Sequence, residues 1–283
     1  MKDLLHVLKD IKVEHTLFAM PFAVMSAFIA SGGLPGGREL LLLMLALFFA
    51  RSAAMAFNRL SDVSFDSTNP RTKNRPLASG IANRAVYVFF VIATSAAFIV
   101  TCMYINFLAF KLSPLALVII FFYSFTKRFT PYSHFFLGLA LSLSPIGAWV
   151  AIKGEFSMES LLLGGAVIFW LVGLDIIYSC QDVEHDKEEG LNSIPLHFGI
   201  KSALTISSAA HFVMITFLVL LYMVSDGLGA VYVLGVFLTA ALLWYQHYIV
   251  SPDDLKRVNI AFFNVNGIIS VGLMVFVIAD TLV

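Results

Sequence analysis

The chain has 283 residues, of which 59% are hydrophobic and only 13% charged, against about 25% charged in soluble domains. A mean hydropathy of +0.89 leaves no surface that water tolerates, so lipid must be its solvent. Eighteen basic residues balance eighteen acidic ones, which excludes the concentrated basic face that nucleic acid requires, and the two cysteines, Cys102 and Cys180, lie far apart in apolar runs and suggest neither a disulfide framework nor a zinc-ligand pair.

The N-terminus carries charges through Glu14 before any apolar run and ends in no small-residue cleavage site, so no cleaved signal peptide is expected. Apolar segments long enough to span a bilayer follow near 15–32, 40–57, 84–104, 107–125, 134–152, 160–180, 203–224, 228–248 and 259–281. The prediction is an all-α integral membrane protein of about nine transmembrane helices, forming one domain over 1–283. Pro21 should kink the first helix. Gly32-Gly33-Leu34-Pro35-Gly36-Gly37, Asp226-Gly227 and Ser251-Pro252-Asp253-Asp254 punctuate the chain as turns, and Ile105-Asn106 is the least marked break.

Basic residues set the orientation. Of the 18 lysines and arginines, Arg51 lies inside the second helix and Arg38, Lys111 and Lys153 fall on one side; all the others fall on the side of the N-terminus and the even-numbered gaps. That side is expected to be the cytoplasm. Two gaps there are long and rich in polar groups, those after helices two and six, and their spacing of four helices hints at a loose internal repeat.

Each of these gaps opens on an acidic stripe. In Asn58-Arg59-Leu60-Ser61-Asp62-Val63-Ser64-Phe65-Asp66, oxygen-bearing side chains recur at i, i+4 and i+8; in the second stretch Asp175, Tyr178, Asp182 and Asp186 recur at i, i+3, i+7 and i+11. If the helices continue, each set shares one face. Aligned carboxylates repel unless a cation offsets them, and Asp and amide oxygens are hard ligands suited to Mg2+, which keeps waters and bridges to substrate phosphates. Solvation alone accounts for Glu184, Glu188 and Glu189, but not for Asp175, because an ionisable group inside a span costs about 2.5–3.5 kcal/mol. Arg51 lies seven residues before Asn58 on the same stripe, and Tyr123 and Lys127, with Arg128, end helix four one turn apart. Arg71, Lys73 and Arg75 either cap phosphate oxygens or set topology.

Asn58-x-x-x-Asp62-x-x-x-Asp66, Asn74-Arg75-Pro76-Leu77-Ala78-Ser79-Gly80, Tyr123-x-x-x-Lys127 and Asp175-x-x-Tyr178-x-x-x-Asp182-x-x-x-Asp186 resemble, in order and across nearly the whole chain, the signatures of the UbiA superfamily of intramembrane prenyltransferases. The resemblance implies a nine-helix fold and Mg2+-dependent transfer of a polyprenyl chain from its diphosphate to an aromatic acceptor. It implies Mg2+ at Asn58, Asp62, Asp182 and Asp186, with Asp66 and Asp175 supporting, and diphosphate contacts from Arg51, Tyr123 and Lys127. Arg128 and Tyr178 are further substrate-binding candidates. Lys127-Arg128-Phe129-Thr130 and Gln181-Asp182-x-Glu184-x-Asp186 look closest to 4-hydroxybenzoate polyprenyltransferases of quinone biosynthesis, whereas the wording from Arg51 to Arg59 is similar to the menaquinone branch through futalosine. Many quinone enzymes of the family place Asp directly after the motif Asn, where this chain has Arg59. The implied location is the inner membrane, with the site facing the cytoplasm and lipid around it.

His134 and His211 read as interfacial groups at helix starts, His197 has no assigned role, and Asn264 and Asn266 read as interhelical hydrogen bonders. A transporter also uses intramembrane acids and arginine, but it spreads polar groups along a crossing path with interrupted helices near the midplane. This chain gathers them at one end, and a structural scaffold has no use for matched acidic stripes.

Overall fold

A computed structural model describes residues 2–11 and 20–283. Among them, eight helices are long and apolar enough to cross a membrane, and a ninth apolar helix, Met20–Ser31, is shorter. The predicted first span begins at 15, so its opening residues lie outside the described ones.

In chain order the helices are α1 (Lys2–Asp10), α2 (Met20–Ser31), α3 (Gly37–Ser61), α4 (Val63–Thr68), α5 (Arg84–Ile105), α6 (Phe107–Thr126), α7 (Ser133–Lys153), α8 (Met158–Ser179), α9 (Val183–Glu188), α10 (Ile194–Phe198), α11 (Ile200–Val224), α12 (Ala230–Tyr248) and α13 (Asn266–Leu282), the last entered through a π-helical turn, Ile260–Val265. No strand occurs among the described residues; Ser251 and Asp254 form one isolated bridge. The break at Asn106 is real. Its backbone is extended, its Oδ1 accepts from Ala109 N at 2.8 Å to cap α6, and its Nδ2 donates to Val150 O at 2.7 Å.

α8 is the central helix. It packs on α7 and α11, while α3 pairs with α5, α2 lies against α7 and α13, and α12 lies against α13. Its Trp170 is fully buried among Phe22, Met214 and Leu218, and Trp170 Nε1 donates to Asn266 Oδ1 at 2.9 Å. Asn266 is thus the expected interhelical bonder, while Asn264 is exposed. Lipid tails are as apolar as leucine, so close packing and polar bridges hold such helices together. At Gly138 an added Cβ would lie 2.7 Å from Ile168 O, so only glycine lets α7 approach α8 there.

The two histidines differ from expectation. His134 is wholly buried at the start of α7, and His211 is buried eleven residues into α11, where its Nδ1 meets His247 Nε2 at 2.8 Å. Both rings satisfy their polarity inside the bundle rather than at the interface, because a polar partner waits on the neighbouring helix.

Candidate active site

Both acidic stripes are interrupted where sequence periodicity suggests continuous helix. α3 stops at Ser61, and Asp62 (φ −99, ψ 10) begins α4; α8 stops at Ser179, and Asp182 (φ −102, ψ 5) begins α9. The two units match closely. In each, a short helix of six residues carries a buried Asp at its fourth position, Asp66 or Asp186, whose backbone N–H donates to the first Asp's carbonyl at 2.8 Å. The i, i+4 link therefore survives the bend.

The units meet at one end of the bundle around a cavity of about 170 Å³. It is lined by Asn58, Asp62, Asp66, Tyr123, Lys127, Arg128, Asp182 and Asp186 from the expected set, together with Arg59, Phe65, Asn69, Arg71, Thr72, Arg75, Ser124, His185 and Leu191. Every acid in it faces a cation. Arg71 Nη2 lies 2.8 Å from Asp182 Oδ2, Arg75 Nη1 2.7 Å from Asp66 Oδ2, Lys127 Nζ 3.6 Å from Asp186 Oδ2, and Arg128 Nη2 3.5 Å from Asp62 Oδ1. Arg71 also donates to the Tyr178 hydroxyl and lies over its ring, with the guanidinium carbon 4.9 Å from the centroid. Of the three loop cations, Arg71 and Arg75 line the cavity and Lys73 does not.

Burial and the neighbouring Asp66 hold the Asp62 carboxyl above the usual carboxylate range, an effect that Arg128 and Asn58 partly offset. Asn58 Nδ2 donates to Asp62 Oδ2 at 2.8 Å, while Asn58 Oδ1 accepts from Arg59 Nη1 at 2.9 Å.

Asp175, Tyr178 and Arg51 are not among the cavity residues. Asp175 Oδ2 lies 2.7 Å from His134 Nδ1, and Ile194 N donates to His134 Nε2 at 3.4 Å, so both ring nitrogens have partners. Arg51 Nη1 reaches Ile11 O at 3.5 Å. His134 shows in sequence only as a lone polar residue in an apolar run, and its partner is 41 residues away.

The donors suit a hard divalent cation. Asp186 Oδ2 is buried without a hydrogen-bond partner, and the cavity offers three further carboxylates. No three His, Cys, Asp or Glu side chains among the described residues converge on one point. A Mg2+ ion does not need such a cluster, because it takes one or two carboxylates and completes its shell with water and substrate phosphate. A second recess, of about 240 Å³ at the other end of α3 and α7, holds Arg38, Glu39 and Lys153 and none of these acids.

Cations and carboxylates in near balance, at the mouth of an apolar helical bundle, suit an enzyme embedded in the membrane whose substrate joins an anionic head to an apolar tail. Residues 19–268 match the UbiA prenyltransferase family, and the chain belongs to that family. It is similar to 4-hydroxybenzoate octaprenyltransferases of Vibrio parahaemolyticus (33% identical, covering 89% of each chain) and Vesicomyosocius okutanii (30% identical, covering 88% of this chain and 90% of that one). Among solved structures, a UbiA homolog from Aeropyrum pernix is 33% identical with a TM-score of 0.86, covering 96% of this chain and 99% of that one. A UbiA homolog from Archaeoglobus fulgidus, bound to DMAPP and Mg2+, shares the fold at 21% identity and TM-score 0.71, covering 99% of each chain. The protein is an integral membrane prenyltransferase.

Proposed function

We propose that this prenyltransferase moves a polyprenyl chain from its diphosphate to a 4-hydroxybenzoate-like aromatic acceptor, with Mg2+, in quinone biosynthesis. The observation that carries this reading is the cavity in which four carboxylates each face a lysine or arginine. Asp62, Asp182 and Asp186, joined by Asn58 once its Oδ1 turns from Arg59, would hold Mg2+, which would neutralise the diphosphate as its bond to the allylic carbon breaks. Arg71, Arg128 and Lys127 line the space beside them and can turn from the carboxylates to phosphate oxygens, and Tyr123 lines the same space. Asp66 with Arg75 anchors the loop that supplies Arg71, and Asp175 is fixed by His134 deeper in α8.

The carbon–oxygen pair leaves with the diphosphate, the electron-rich ring attacks the allylic cation, and a ring proton is released to restore aromaticity. Preorganised charges at the separating ions supply the largest part of the acceleration. The site opens toward the cytoplasm in this reading, because the basic-rich gaps lie at its end of the bundle. The test is Mg2+-dependent consumption of a long prenyl diphosphate by purified protein against a panel of phenolic acids and naphthoquinone precursors. Turnover without divalent metal, or none with any aromatic acceptor, would refute the reading.

A further inference from the structure

The residue after Asn58 is Arg59, and 5% of its surface is exposed. It lines the cavity and its Nη1 donates to Asn58 Oδ1, while its Nε lies 3.4 Å from Asp10 Oδ1 without forming a hydrogen bond. Asp10 ends α1, is itself buried, and accepts from the Tyr87 hydroxyl on α5. The charged groups acting on Arg59 are Asp10, Asp66, Asp62 and Arg75. Three of these belong to the cavity, and Asp10 stands behind it.

We propose that Asp10 and Arg59 form a positioning pair in which the N-terminal helix sets the charge balance of the metal and donor site. The inference rests on the metal–diphosphate reading above. Five cations and four carboxylates line the cavity. Asp10, set behind Arg59, neutralises the odd cation without offering an oxygen to the cavity. A buried guanidinium in this place repels Mg2+ and attracts diphosphate, and its counterion tempers both effects. Through Asn58 Oδ1 the same guanidinium holds the amide with its N–H2 toward Asp62, so that α1, α3 and α5 fix one side of the site together.

The pair makes a signed prediction. Asp10→Asn leaves the Arg59 charge uncompensated and should weaken Mg2+ binding while tightening the donor. Arg59→Gln leaves Asp10 uncompensated and should do the opposite. Each shift should be on the order of tenfold, the effect of one partly buried charge acting on its neighbours. The double variant Asp10→Asn/Arg59→Gln restores the net charge and should return to within about threefold of the parent, because it again leaves no uncompensated charge beside the site. Tyr87→Phe removes a hydrogen bond and no charge, and should move neither affinity.

The readout is calorimetric titration of the purified full chain, with Mg2+ alone and then with a non-hydrolysable prenyl thiodiphosphate at saturating Mg2+. If the parent protein binds neither, the metal–diphosphate reading fails and this inference falls with it. If the parent binds both but the two single variants shift in the same direction, or do not shift, the charge-setting role is overturned. A double variant no better than the worse single one, or Tyr87→Phe matching Asp10→Asn, would reduce the pair to packing.

Discussion

Asp182→Ala separates chemistry from stability. The side chain is paired with Arg71, whose own side chain is 43% exposed. An ion pair so open to solvent contributes about 0–1 kcal/mol to folding. For a chain of this size that corresponds to a melting shift of about 2–4 °C at most. Removing one group that stabilises developing charge costs about 10²–10³ in turnover. Asp182→Ala should therefore lose at least about a hundredfold in turnover while melting almost where the parent does. Asp186→Ala removes a carboxylate whose side chain is 2% exposed but whose partner Lys127, 3.6 Å away, is 33% exposed; the ammonium left behind is hydrated, so this variant too should lose activity with little loss of stability. The assay is prenyl transfer under limiting Mg2+, beside a thermal melt followed by gel filtration in detergent. Asp182→Ala activity within a few-fold of the parent would remove Asp182 from the metal set, and activity falling only in step with lost folded protein would make its role structural.

In the proposed site protons would compete with metal at Asp62, whose carboxyl is held above the ordinary carboxylate range by burial and Asp66. Mg2+ affinity should therefore fall on acidification at a pH above that range, and Arg128→Met should move the loss to still higher pH; an unchanged acid limb in Arg128→Met would refute the assignment. The same raised pKa makes the metal-free fold slightly more stable below that window, with the contribution lost as pH rises through it. Lys127→Met should raise the donor KM, whereas Arg51→Met, which lies outside the cavity, should leave donor KM within about twofold; a donor effect at Arg51 would bring its side chain into the site. Gly138→Ala should destabilise by about 1–3 kcal/mol through overpacking, while Gly147→Ala on the same helix, with nothing within 4 Å of its Cβ, should not. Orientation is tested by an impermeant thiol reagent on intact cells lacking Cys102 and Cys180. A cysteine at Glu155 should label and one at Ser67 should not; Glu155 is chosen over Gly154 because that glycine has φ 72.

The spans and the acidic stripes were legible because each rests on a local rule, twenty apolar residues in one case and i, i+4 spacing in the other. The bends at Asp62 and Asp182 were not, since the backbone bonds from Asp66 and Asp186 preserve that spacing across them. Nor could sequence assign the partners. Arg71 and Arg128 read equally well as topology markers, and only the fold sets them against acids 111 and 66 residues away. Arg59 showed as a departure from a motif, and its burial against Asp10 depends on where α1 docks. His134 showed only as a lone polar residue, because its ring is satisfied by a carboxylate on another helix.

The matched backbone of the two acidic units gives the internal repeat suggested by the loop spacing a physical form, and the cations show why the repeat is not two independent sites. Arg71 follows the first unit in sequence but binds Asp182 of the second, while Arg128 binds Asp62 of the first. Lys127, beside Arg128 at the end of α6, binds Asp186 of the second. Neighbouring residues at one helix end therefore hold opposite halves of the cavity, and each half is held by a segment outside it. In the proposed reaction, a diphosphate entering between the units competes for all of these cations at once, and each cation it captures releases a carboxylate for metal. Donor and Mg2+ should then bind with positive linkage, each raising the other's affinity by the same factor. Titrating Mg2+ with and without the thiodiphosphate measures that factor directly, and a factor of one would mean that the carboxylates do not depend on the donor for their release.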